Sequence, residues 1–214
     1  EYSRSVFLKE VCDNARVTVL YNHVGNNRFV PSAERRGQGQ LKIIYTGRLK
    51  HGKTLEKWIE IAVALHEKLE SPVFEIYGSG PMERRLEAKI RSLGAGSYIS
   101  MKGYRSDIEN VFRDADLLLF LSEYESFGNV VVESILCGTP VIASDIPSMR
   151  EIFRDYPVFL LESGGDISGQ VVSRLLDYES LERSARIAGD DFRERFSEKN
   201  YIGQLNRIYS SFYE

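Results

Sequence analysis

The sequence predicts an α/β fold, a doubly wound Rossmann-like parallel sheet with helices on both faces, and three observations carry that prediction. Strand-like and helix-like stretches alternate from residue 41 to residue 212, the order that right-handed crossovers turn into an open parallel sheet. The run Leu117, Leu118, Leu119, Phe120, Leu121 is apolar at every position, which suits a strand covered on both faces. Loops rich in glycine, charge or hydroxyls follow the strand-like stretches, at the carboxyl edge where such a sheet holds its ligand.

In chain order, 6–14 reads as a short helix and 17–21 as a β-rich run. Residues 33–40, AERRGQGQ, are charged and without periodicity, and read as a linker or loop. The first strand of the main domain is expected over 41–46, ending at Gly47-Arg48-Leu49. A helix follows over 54–69, with Leu55, Trp58, Ile59, Ala62, Val63, Leu65 and Leu69 at helical spacing. A strand over 73–77 closes at Gly78-Ser79-Gly80-Pro81, and a charged amphipathic helix covers 82–93. Next come a short strand over 99–102 before Gly103 and a short helix over 108–114.

The strand 117–121 leads into the polar loop 122–128. Asn129 then caps a helix carrying Val131, Val132, Ile135 and Leu136, and Gly138 with Pro140 stops it before a strand at 141–143. The rest reads as a helix at 149–153, a strand at 158–161, and helices over 169–176, 181–196 and 199–212. No internal repeat interrupts the pattern.

A length of 214 residues accommodates one good-sized α/β domain with a short extension. Hydrophobic residues at 43% and charged residues at 28% are ordinary for a globular protein. A net charge of −3, without a basic stripe interleaved with aromatics, argues against a nucleic-acid partner. Cys12 and Cys137 are too few for a disulfide framework, and Cys137 sits in an apolar setting that suits a small buried thiol, so a reducing, cytoplasmic compartment is expected. His23, His51 and His66 lack metal-ligand spacing, and no metal is expected. The chain opens at Glu1 without a methionine, which fits a piece cut from something longer.

The chemistry-bearing residues fall in five loops after five strands: Arg48 and Lys53, then Gly78 to Pro81, Gly103 to Arg105, Glu125 to Asn129, and Asp145. A guanidinium offers a planar fork to phosphate oxygens and an ammonium a mobile point charge, so Arg48 and Lys53 together can neutralise a diphosphate. A carboxylate only accepts hydrogen bonds and can take them from two neighbouring hydroxyls, which makes Glu133 a reader of a ribose diol and Glu125 of a sugar. The N-terminus of the helix at Asn129 adds free N–H groups that favour a phosphate.

The segment ESFGNVVVESILCGTPVIASD, residues 125–145, resembles the signature of family 4 retaining glycosyltransferases with the two-domain B fold (glycosyl transferases group 1), in which two glutamates are separated by seven residues. The resemblance runs from Val17 to Phe212 and is densest between Gly103 and Asp145. It implies that Gly47, Arg48 and Lys53 meet the donor diphosphate, and that Gly78 and Gly80 form the glycine-rich turn beside the nucleotide. It further implies that the backbone of Gly103, Tyr104 and Arg105 meets the base, and that Ser126, Phe127, Gly128, Asn129 and Val130 wrap the sugar and phosphate. Glu125 and Glu133 are then the sugar and ribose carboxylates.

The family is thought to need no protein nucleophile: the diphosphate leaves, and its own oxygen helps take the acceptor's proton. Arg48, Lys53 and Glu125 are the implied catalytic residues. The sequence departs from the family at His23 and Gly25, at His51, at Ser126 and at Ser144 to Ser148, where glycines or acidic residues are commoner.

The resemblance also implies that 1–32 is the tail of an N-terminal acceptor domain, 33–40 the connection, and 41–214 the nucleotide-sugar-binding domain. The implied donor is a UDP-sugar, with a GDP-sugar as the alternative, since main-chain contacts carry no signature of the base. The acceptor would be a saccharide or lipid-linked, reached through the N-terminal domain, with peripheral association at the cytoplasmic membrane face as one family arrangement. A nucleotide-sugar epimerase of the same fold and a non-catalytic nucleotide-binding module are the competing readings. The isolated piece is expected to bind donor but to transfer sugar poorly.

Overall fold

The structure is a computed structural model that describes residues 4–5, 8, 17–25, 27–32 and 39–211. Five strands form one parallel sheet: β1 (Lys42–Thr46), β2 (Val73–Tyr77), β3 (Ile99–Gly103), β4 (Leu117–Phe120) and β5 (Val141–Ala143), in the order β3-β2-β1-β4-β5. The helices are α1 (Leu55–Lys68), α2 (Glu83–Ser92), α3 (Ile108–Arg113), α4 (Asn129–Leu136), α5 (Pro147–Ile152), α6 (Ile167–Leu175), α7 (Tyr178–Arg195) and α8 (Glu198–Ser210). All four residues of β4 are buried, as expected of a central strand with helices on both faces. Trp58 of α1 is fully buried, and its indole N–H donates to the Leu119 carbonyl at 2.9 Å, tying that helix to β4.

The strand order reverses direction between β1 and β4. At such a switch point the crossovers leave on opposite faces, so the loops after these two strands splay apart and open a crevice at the carboxyl edge. The loops after β1, β2 and β3 are knit together by main-chain bonds beyond the strands: Gly47 N–H to Tyr77 O (3.1 Å), Leu49 N–H to Ser79 O (3.0 Å) and Gly78 N–H to Gly103 O (2.8 Å).

Three expectations are corrected. Residues 158–161 do not form a strand: Pro157–Phe159 is a 3₁₀ turn, and Leu160 makes only an isolated bridge to Ala143. The Arg174 guanidinium takes the Val158 and Leu160 carbonyls, at 2.9 and 2.6 Å, that a further ladder would have used, and Pro157 has no N–H to donate. Residues 17–21 are irregular; Tyr21 is held by its side chain, between Phe127 and Phe196 and on Glu151. Asn129 is the first residue of α4 and not its cap, a position taken by Gly128 in a left-handed conformation; the Asn129 side chain instead accepts from Asn22 at 3.0 Å. The helix expected over 6–14 lies outside the described residues except at Leu8.

Phe153 is fully buried and Tyr156 packs against the core beside Phe159 and Phe192. The Cys137 thiol is buried, and burial pushes its pKa up to about 12, so it is a packing group and not a nucleophile. No helix among the described residues is long and apolar enough to cross a membrane.

Candidate functional site

Two adjoining cavities open at the carboxyl edge. The first, of about 560 Å³, is lined by the β1 loop with Lys53 and by the β4 loop from Glu125 to Asn129. The second, of about 410 Å³, holds Gly78, Tyr104, Arg105 and Glu133. Thr46, Gly47, Arg48 and Val130 line both and form the wall they share. Four of the five predicted loops therefore converge. The fifth does not: Asp145 is tied back by a forked pair of bonds from Arg150, at 2.5 and 2.7 Å, and lines neither cavity.

In the first cavity Lys53 forms an ion pair with Glu125, and both side chains are largely shielded from water. The Lys53 ammonium also lies 5.6 Å from the centre of the Phe120 ring. The second Glu125 oxygen accepts from the Ser126 N–H at 3.2 Å. Phe127 stacks edge-on against Phe196 at 5.3 Å, which anchors the loop from behind. Arg48, by contrast, is exposed on the shared wall.

In the second cavity Glu133 projects from α4 into a half-buried position. Loss of water pushes its pKa up to about 7, an effect that the nearby Arg28 guanidinium partly offsets. Arg28 is itself engaged, donating to Glu109 at 2.8 Å and to the Ser106 carbonyl. Tyr104 is largely exposed at the rim.

Gly80 and Gly103 line neither cavity, and their place is architectural. A Cβ on Gly80 would come within 2.4 Å of the Leu49 carbonyl oxygen, and the Gly103 carbonyl receives the Gly78 N–H. Gly128 makes its close approach to the Met149 methyl group, where a Cβ would come within 2.9 Å.

Sequence reasoning missed Asn22 and Arg28, which reach the cavities from the segment ahead of β1, and Thr46 on the shared wall. Thr46 carried a signal: it is the aliphatic hydroxyl that ends the run Ile43-Ile44-Tyr45, directly before Gly47. Asn22 and Arg28 carried none, because their contacts with Asn129 and Glu109 span 107 and 81 residues.

Lys53 is followed by a strained residue. Thr54 has φ 47°, a left-handed conformation unfavourable for a β-branched side chain, and its buried hydroxyl has no hydrogen-bond partner among the described residues. Thr54→Gly is expected to raise stability by about 1 kcal/mol after the loss of chain stiffness is counted. A melting temperature about 2–4 °C higher would register it; an unchanged or lower value would show that the surroundings have absorbed the strain.

The sequence profile described as Glycosyl transferases group 1 matches residues 27–200. A 2-deoxystreptamine N-acetyl-D-glucosaminyltransferase of Niallia circulans is 24% identical over 187 residues, covering 82% of this chain and 48% of the relative. The putative glycosyltransferase EpsD of Bacillus subtilis is 30% identical over 173 residues, covering 79% and 45%. This chain thus spans about half the length of these relatives. Among solved structures, TarM superposes with a TM-score of 0.85 at 20% identity, over 98% of this chain and 42% of TarM. HepE of Anabaena in complex with UDP and glucose superposes with a TM-score of 0.82 at 22% identity, over 98% and 61%. The fold is that of glycosyltransferases of the B type, and this chain belongs to the glycosyl transferases group 1 family.

Proposed function

We propose that the chain is the donor-binding domain of a retaining glycosyltransferase, which takes a nucleoside-diphosphate hexose, UDP-linked in the first instance, for transfer to a saccharide or lipid-linked acceptor. The observation that carries this is the shared wall. It joins a cavity holding an acidic and a basic side chain to one holding a single half-buried carboxylate, and a molecule spanning both would cross the wall at Gly47 and Arg48.

In this reading the sugar lies by Glu125, the diphosphate against Arg48 and Lys53, and the nucleoside beside Glu133 with its base near Tyr104 and Arg105. Arg48 and Lys53 stabilise charge on the leaving diphosphate, and the enzyme's contribution is positioning and electrostatics without a protein nucleophile. Among the described residues no three His, Cys, Asp or Glu side chains cluster as metal ligands. Residues 1–32 then belong to the connection with an N-terminal acceptor domain, 33–40 to the linker, and 41–214 to the donor domain. HepE, crystallised with UDP and glucose, and the relatives named as N-acetylglucosaminyltransferases support UDP as the first nucleotide to try.

Calorimetric titration of the chain with UDP, GDP and ADP, with and without magnesium, tests the reading. UDP is expected to bind most tightly, independently of magnesium, and Arg48→Ala to weaken it by about tenfold or more through loss of a charge-assisted bond. A chain that binds none of the three, or binds them regardless of Arg48, would overturn the assignment.

A further inference from the structure

Thr46 is the last residue of β1 and is only 2% exposed, yet its hydroxyl has no hydrogen-bond partner among the described residues. A buried hydroxyl in that state has given up water and gained nothing in return, and such orphans are uncommon enough to call for an explanation. Thr46 lines both cavities, on the wall formed with Gly47, Arg48 and Val130.

We propose that Thr46 is a donor-contacting residue whose hydroxyl donates to a phosphate oxygen of the bound nucleoside diphosphate where the two cavities meet. This rests on the donor-site reading above and adds to it a neutral, buried contact. Phosphate oxygens accept and do not donate, so the threonine proton is the group they lack; Arg48 and Lys53 supply charge from the cleft, and Thr46 supplies direction from the sheet. A valine side chain has nearly the same shape and lacks only the donor, which makes Thr46→Val a clean probe. That change also removes the orphan, so the variant should be as stable as the parent or more so.

The test is calorimetric titration of the parent chain, Thr46→Val and Thr46→Ser with UDP and with uridine, alongside melting temperatures. Thr46→Val is expected to bind UDP about tenfold more weakly, to bind uridine as the parent does, and to melt no lower. Thr46→Ser, which keeps the hydroxyl, should bind UDP within about twofold of the parent. UDP affinity unchanged in Thr46→Val would overturn the inference, and so would an equal loss for uridine, which would move the contact to the nucleoside. The two readings fail differently. A parent chain that binds no nucleotide overturns the donor site and this contact with it, whereas parent binding that depends on Arg48 but ignores Thr46→Val overturns the contact alone.

Discussion

Alanine at Gly78 is expected to cost the fold roughly 3–5 kcal/mol, the largest effect of any single substitution in the cleft. Gly78 has φ +137°, and a Cβ built there would lie 1.9 Å from the carbonyl oxygen of Gly47. That oxygen belongs to the main chain and cannot rotate away. The loops after β1 and β2 would have to separate, breaking the bonds from Gly47 to Tyr77 and from Leu49 to Ser79. The melting temperature should fall by about 10 °C, and nucleotide binding with it, because Gly47 and Arg48 ride on the displaced loop. Gly52 provides the control: its φ is +82° but nothing lies within 4 Å of a Cβ placed there, so Gly52→Ala should cost only about 1 kcal/mol, from backbone strain alone. Equal losses at the two positions would mean that the loops can part cheaply.

Removing the charge of Glu133 should move stability and binding in opposite directions. Its pKa is pushed up to about 7 by burial, against an ordinary value near 4.3 in the unfolded chain. Below pH 4 the carboxyl is protonated in both states. Between the two values the folded chain holds a proton that the unfolded chain has released, so this group's contribution to stability declines from about pH 4.5 and is gone once the pH has risen through 7. The loss amounts to roughly 3–4 kcal/mol at pH 8.5. Glu133→Gln should abolish it, leaving a variant more stable than the parent at pH 8.5 and equal to it at pH 4.5. Binding runs the other way in the donor reading proposed above: only the ionised carboxylate can accept from both hydroxyls of a ribose, so UDP affinity of the parent should rise as pH passes 7. Glu133→Ala should cut it by about one to two orders of magnitude. Melting curves and titrations at three pH values check both halves. A parent whose stability and UDP affinity are flat across pH 7 would show that Glu133 is neither buried enough nor placed to read the ribose.

Three of the five strands were legible because they are written in one alphabet: Ile43, Ile44, Leu117 to Phe120 and Val141 to Ala143 are apolar without alternation and are buried as such. The apparent strand at 158–161 was written in the same alphabet, yet its carbonyls are claimed by Arg174, fourteen and sixteen residues away; no local pattern announces such a competitor. Asn129 looked like a cap because of its side chain, but the turn into α4 needs a left-handed residue, and Gly128 supplies it. Arg48, Lys53 and Glu125 could be grouped because each follows a strand by a short, countable interval, and Glu133 because it lies one turn inside the helix after β4. Arg28 could not, because its place against Glu109 is set by tertiary packing of a segment outside the sheet.

The Lys53–Glu125 ion pair has a consequence for what the cleft will accept. Each member neutralises the other, and separating them leaves two poorly hydrated charges to be satisfied. The ammonium has three N–H donors and the carboxylate two oxygens, so an anion can reach Lys53 and a hydroxyl can reach Glu125 while the two stay paired. A molecule bearing a phosphate and a sugar hydroxyl a few bonds apart answers both at once. In the donor reading proposed above, a ligand with both groups draws on the spare capacity of both side chains at once, whereas inorganic phosphate or a free sugar draws on that of one.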